Sequence, residues 1–129
     1  MTHPNEDLLR GGYQAFAEGD MNTVLSVLAD DIVWHVGGSS QVTGDYRGHQ
    51  EVMGFFGQLG QLTGGSFRLE IHDILANDTH GVALVTAHGQ RDGQDYAIRE
   101  ANIWHLSGGK ATEFWSFTDD EPGLDRLLG

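Results

Sequence analysis

Between residues 100 and 119 the chain reads "EANIWHLSGGKATEFWSFTD", which sets an amide, a histidine and several acids among tryptophans and phenylalanines. Side chains of these types suit proton transfer without a cofactor. A carboxylate in an apolar pocket has its pKa raised by desolvation and can move protons near neutral pH. Asp119 is the candidate carrier, His88 the candidate second proton carrier, and Asn102 the group that polarises a carbonyl or positions a water. Each has a plainer reading. Asp119 can cap a helix in the tail "DDEPGLDRLL", His88 can be a solvent-facing histidine, and the tryptophans can be ordinary core.

Strand alternation sorts the neighbours of these groups. A cavity-facing Asp119 brings Trp115 and Phe117 with it, with Glu113 at the rim. A cavity-facing Asn102 brings Glu100 and Trp104. Trp34 and Val36 share a face, with His35 on the other, and His88 goes with Thr86 and Leu84. Tyr13 and Phe56, on amphipathic helices, complete the expected lining. The composite is an aromatic pocket with a few polar groups, the usual make-up of a small-molecule site. Other chemistries find little support. There is no cysteine, so disulfides, thiolate zinc and cysteine catalysis are excluded. The seven histidines have no H-x-H or H-x-x-x-H spacing, and no metal site is expected. "VGGSS", "TGGS" and "SGGK" lack the context of a phosphate loop, and no serine sits in a nucleophile elbow. No cofactor is expected.

The elements that must hold these residues follow from periodicity. Leu9, Tyr13 and Phe16 lie at helical spacing between Pro4 and Gly19. Gly11 and Gly12 inside that helix predict a close neighbour there. Asp20 caps a second helix with an apolar stripe of Met21, Val24, Leu25 and Leu28. "DDIVWHV" is a strand and "GGSSQVTGDYRG" a loop. Val52, Phe55, Phe56 and Leu59 mark a third helix. After "TGG" the period changes from 3.6 to 2, with Phe67, Leu69 and Ile71 alternating against Arg68, Glu70 and His72. The alternation slips at Asp73 before Ile74, which predicts a bulge. "GVALVTAHGQ", "DYAIREANIWHL" and "ATEFWSFTD" continue as strands through the turns "RDG" and "SGG". The expected fold is α+β, with three N-terminal helices on a strongly curved, mostly antiparallel sheet, as a single domain over residues 1–129.

Nineteen acids against seven bases give a formal charge of -12. That surface repels phosphate backbones and anionic lipid, so nucleic-acid and membrane partners are not expected. A small apolar or neutral organic ligand fits better. "MTHPNEDLL" lacks the basic-then-apolar pattern of a secretory signal, and no apolar run approaches the ~20 residues of a membrane span. A cytoplasmic protein is the expectation. The half-apolar outer face carrying Ala101 and Ile103 predicts a homodimer.

The stretches "YQAFAEGDMNTVLSVLADDIVWHV", "GDYRGHQEVMGFF" and "LSGGKATEFWSFTD" together resemble the SnoaL-like branch of the nuclear transport factor 2-like superfamily, over nearly the whole chain. That resemblance implies a cone-shaped α+β fold and, often, dimers. It also implies the chemistries of ketosteroid isomerases, limonene epoxide hydrolases and polyketide cyclases, or non-catalytic binding. Residue by residue the match is partial. The isomerase general base falls on Val36, its phenolic tyrosine on Gly12 beside Tyr13, and its proton-donating acid on Asn102. The hydrolase acid falls on Asp119, its aromatic hydroxyl on Trp34 and its water-binding amide on Val36. His88 lies in the region of the hydrolase's Arg-x-Asp, which has no clear match. A cofactor-independent isomerase, cyclase or hydrolase using Asp119, His88 and Asn102 is the leading expectation. A non-catalytic ligand-binding or dimerisation module of the same fold is the alternative.

Overall fold

A computed structural model describes residues 2–129. Helix α1 (Pro4–Glu18) starts with Pro4 in its first turn, the His3 side chain accepting from the Asn5 amide, and stops at Gly19, whose φ of 75° is left-handed. The Asp20 carboxylate caps α2 (Met21–Val27) by accepting from the Thr23 amide. Leu28 belongs not to α2 but to β1 (Leu28–Val36), since β-branched residues at 32, 33 and 36 favour extended backbone. The stretch read as loop contains a short strand, β2 (Gly44–Arg47), which pairs antiparallel with β1. Four residues among turn formers carry no legible alternation, so only the partner strand defines this one. Helix α3 spans Gly48–Leu62.

The meander follows as expected: β3 (Arg68–Ala76), β4 (His80–Arg91), β5 (Gln94–Ser107) and β6 (Lys110–Thr118). The predicted slip is present, because Ile71 faces Val85 while Asp73 faces Leu84, leaving His72 as the extra residue. A last helix, α4 (Glu121–Leu128), is capped by Asp120, which accepts from the Gly123 amide. Capping therefore falls to Asp120 and not to Asp119. The six strands run in the order β2-β1-β6-β5-β4-β3. All neighbours are antiparallel except β1 and β6, whose parallel pairing closes the N-terminal half onto the last strand. The result is a curved, open, mostly antiparallel α+β sheet with four helices.

Two buried clusters lie between helices and sheet. The larger joins Leu9, Val24 and Val27 to Ile74, Val85, Trp104 and Phe114. The smaller joins Val42, Phe55 and Leu59 to Leu127 and Leu128. Neither helical glycine is required by a close neighbour: a Cβ at Gly12 would make only ordinary contact with Val27 at 3.5 Å, and Gly11 has open space. Gly81 opposite Trp104 is the tightest approach of helix to sheet, where a Cβ would overlap Leu9. Among the described residues no helix is long and apolar enough to cross a membrane.

Candidate functional site

The helices do not fill the concave side of the sheet. A cavity of about 400 Å³ remains, within the usual size of a small-molecule site. Its walls are aromatic. Trp34 stacks on Phe114 at 3.9 Å between centroids, Trp104 meets Trp34 edge-on at 5.5 Å, and Phe56 meets Trp34 at 5.3 Å. Phe16 from α1 closes on Phe56 at 5.3 Å.

Polar groups gather at one end of this apolar space and form a single chain. The Trp104 Nε1–H donates to the Tyr13 hydroxyl at 3.1 Å, and that hydroxyl donates to Asn102 Oδ1 at 2.6 Å. Asn102 Nδ2 then donates to Glu100 Oε1 at 3.3 Å and to Ser116 Oγ at 3.1 Å. Asn102 is 2% exposed, so its amide is fully committed to these partners. Burial pushes the Glu100 carboxyl above its ordinary value, and the hydrogen bonds from Asn102 and Ser116 offset only part of that. Burial pushes the Tyr13 phenol upward as well, so it stays a neutral donor. The site thus holds one acid poised above the normal carboxylate range, fixed by an amide and a hydroxyl. Such a group holds its proton to higher pH than a solvated carboxyl and can exchange it with a bound ligand.

Several expected residues occupy this cavity: Tyr13, Trp34, Val36, Phe56, Glu100, Asn102 and Trp104. Others do not. Asp119 lies on the outer face, paired with Arg99. His88 is also outside, bonded to Glu70 at 2.8 Å, because β4 directs Ala83, Val85 and Ala87 inward and the alternate positions outward. Trp115 stacks on His35 at 5.1 Å on the outer face. Phe117 is 62% exposed and borders the cavity only at its rim. The reason is a bulge in β6. Near the Gly108–Gly109 turn, Ser107 faces Lys110 and Leu106 faces Ala111. Unbroken pairing would then set Asn102 opposite Trp115. Thr112 is an extra residue, and beyond it Asn102 faces Ser116 and Trp104 faces Phe114. One added residue exchanges the two faces of a strand. Ser116 and the inward Phe114 were thereby missed, and Glu100 was read only as lining. The register count that would have found them needs the bulge, which neighbouring Phe114 and Trp115 conceal.

The outer face has its own order. His35 Nδ1 meets Asp45 and Nε2 meets Glu113, each at 2.7 Å. Burial lowers the affinity of this ring for a proton, but the hydrogen bonds and charges of Glu113 and Asp45 outweigh it and raise the pKa.

This architecture has recognisable relatives. The family model for the SnoaL-like domain matches residues 9–114. The chain belongs to the SnoaL-like domain family. An uncharacterized Mycobacterium tuberculosis protein is 29% identical over 115 residues, 88% of each chain. A Burkholderia pseudomallei NTF2-like protein of unknown function superposes with a TM-score of 0.88 at 25% identity, covering 98% of both chains. A Pseudomonas putida protein described as a candidate polyketide cyclase superposes at 0.73 with 20% identity, again covering 98% of both. The two superposed structures share the curved sheet and its helical cover.

Proposed function

We propose that this SnoaL-like protein binds a small, largely apolar organic molecule and acts on it as a cofactor-independent cyclase or isomerase, with Glu100 as the proton carrier. The observation that supports the reading is the chain Trp104–Tyr13–Asn102–Glu100/Ser116 at the end of an aromatic cavity. In this reading Glu100 exchanges a proton with a carbon or oxygen of the ligand. Asn102 and Ser116 hold the carboxyl in place and share its charge, and Tyr13 fixes the Asn102 amide so that its NH₂ points at Glu100. The aromatic walls exclude water and orient the apolar body of the ligand. The description of the Pseudomonas putida relative as a candidate cyclase is consistent with this class, but the residues of this cavity carry the argument.

The test is Glu100→Gln on a panel of enones, polyketide-like β-carbonyls and epoxides. Turnover should fall by about 10² or more with affinity for these uncharged compounds retained. Unchanged turnover would remove Glu100 from the mechanism. A second reading, a binding module without catalysis, draws on one observation. Among the described lining residues Glu100 is the one carboxyl held in the polar chain, Tyr13 stays a neutral phenol, and the one imidazole, His35, has both nitrogens engaged outside. A parent protein that binds but turns over nothing on the panel would favour that module.

We also propose a homodimer through the outer face of the sheet. Leu75, Val82, Ile103 and Trp115 are aligned across β3, β4, β5 and β6, and Leu84, Ala101 and Phe117 form a second row beside them. Leu75 at 53% and Leu84 at 42% exposure join Phe117 as large apolar side chains left in water, which favours a symmetric partner. Light scattering should give twice the chain mass, and Phe117→Ser with Leu84→Ser should return it to one. A parent of single-chain mass at micromolar concentration would refute the dimer.

A further inference from the structure

The charge balance of the cavity narrows the ligand further, on the reading above that this cavity is where the ligand sits. Glu100 is half-buried inside it, and its hydrogen bonds come from the neutral Asn102 and Ser116. Among the described residues that line the cavity there is no lysine or arginine. Of the chain's seven lysine and arginine side chains, Arg68 and Arg126 do not line the cavity, and the other five are engaged elsewhere. Arg10 lies with Glu6 and Asp73, Arg99 with Asp119, and Arg47 near Asp45. Arg91 donates to the carbonyls of Leu127 and Gly129, and Lys110 to that of Ser26. His35 borders the cavity, yet both of its ring nitrogens are turned to Asp45 and Glu113. A second acid, Glu121 at the start of α4, stands among the lining residues. A formal charge of -12 over the whole chain adds a negative potential that a low-dielectric cleft focuses.

An anionic ligand would therefore meet a carboxyl, a net negative field and no counter-charge. A neutral ligand would leave that carboxyl without an ionic partner. A positive ligand would meet both a carboxylate and the faces of Trp34, Trp104, Phe114 and Phe56, whose ring quadrupoles attract cations. Aromatic walls with an acid and no counter-cation are the recognition chemistry of ammonium groups, tryptophan being the strongest of the ring partners. We propose that the ligand of this cavity carries a positively charged organic nitrogen, a protonated or quaternary amine, on an apolar body.

The carboxyl should respond to such a ligand. The groups that face it are Tyr13 from α1, Asn102 on its own strand and Ser116 from β6, with Glu121 at the mouth on α4. None of them is a cation, so burial keeps the proton on Glu100 longer than usual. A bound ammonium draws that proton off, and affinity for it rises with pH until Glu100 is fully ionised, then levels.

The experiment uses a matched set of probes: phenyltrimethylammonium, its uncharged isostere tert-butylbenzene, and benzenesulfonate. Binding is followed by the fluorescence of Trp34 and Trp104 in a Trp115→Phe background, which silences the outer tryptophan. At pH 8 phenyltrimethylammonium should bind at least 10-fold more tightly than tert-butylbenzene, with benzenesulfonate weakest. The advantage should shrink toward pH 5. In Glu100→Gln the cation preference should vanish while tert-butylbenzene still binds, which also shows that the variant is folded. Equal or tighter binding of the hydrocarbon in the parent would overturn the proposal and leave the apolar cavity standing. A cation preference that survives Glu100→Gln would overturn it too, since the carboxylate would not be its source. Binding of none of the probes up to their solubility limits would remove this proposal and the ligand-cavity reading together. Turnover is not read in this assay, so the proton-carrier role of Glu100 stands or falls separately.

Discussion

Replacing Tyr13 with Phe takes one oxygen atom out of the cavity end and leaves two partners behind. The Trp104 indole N–H loses its acceptor and Asn102 Oδ1 loses its donor. Trp104 is 5% exposed and Asn102 is 2% exposed, so neither can turn to bulk water. A buried polar group stripped of its partner costs about 1–3 kcal/mol. The two together would reach the upper part of that range doubled if both stayed dry. With the ligand absent, water reaching one of the two from the adjoining cavity would bring the expected loss to about 2 kcal/mol. For a chain of this length that corresponds to a fall in Tm of roughly 8 °C. Urea and thermal unfolding at pH 7 measure it. The double variant Tyr13→Phe, Asn102→Leu removes both ends of one bond, so its cost should be at least about 0.5 kcal/mol less than the sum of the single costs. A Tyr13→Phe change below about 0.5 kcal/mol would refute the reasoning, because the chain of bonds would then hold nothing that water does not replace.

Other outcomes follow from the same structure. Glu100→Gln should stabilise the fold at alkaline pH: a carboxyl raised in the folded state erodes stability as pH climbs from its ordinary 4.5 through the raised value. The check is a pair of urea curves at pH 4 and pH 8, in which the variant's advantage must appear only at the higher pH. His35→Gln has the opposite signature. A histidine whose pKa is raised on folding contributes stability that is fully present below its ordinary 6.5 and lost as pH rises through the folded value. The variant should be less stable than the parent at pH 5.5, and the gap should close toward pH 9. Gly81→Ala should cost about 1–3 kcal/mol through overpacking against Leu9, and a neutral result by urea unfolding would show that α1 can move off the sheet.

The change of period near Ser66 and the turn glycines made the meander legible, since half-buried antiparallel strands write their burial directly into alternation. The slip at Asp73 was legible for the same reason, because an apolar residue arrived one place late. Strand β2 and the parallel join of β1 to β6 were not, as both depend on partners far away in the chain. At the site, Glu100, Asn102 and Trp104 could be grouped by alternation along one strand. Thr112 hid the other half. A bulge is visible only if large apolar and polar residues exchange places across it, and Phe114 beside Trp115 offers an aromatic to either face. Asp119 was therefore assigned to the wrong face, whereas His88 lies outside because the unbroken pairing of β4 with β5 sets Ala83 opposite Asn102.

The bond from Tyr13 to Asn102 spans 89 residues, and the one from Trp104 to Tyr13 spans 91. Helix α1 leaves the ribosome first, yet the strands that receive its phenol leave among the last. The β3–β4 hairpin already gives α1 a sheet to pack on, with Leu9 over Gly81, but the Tyr13 hydroxyl has no partner until β5 arrives. Closing so long a loop is entropically slow. The polar end of the binding chamber is consequently completed late, when β5 and β6 come to lie beside α1. A ligand added during refolding could therefore be held only by molecules in which the last hairpin had already closed.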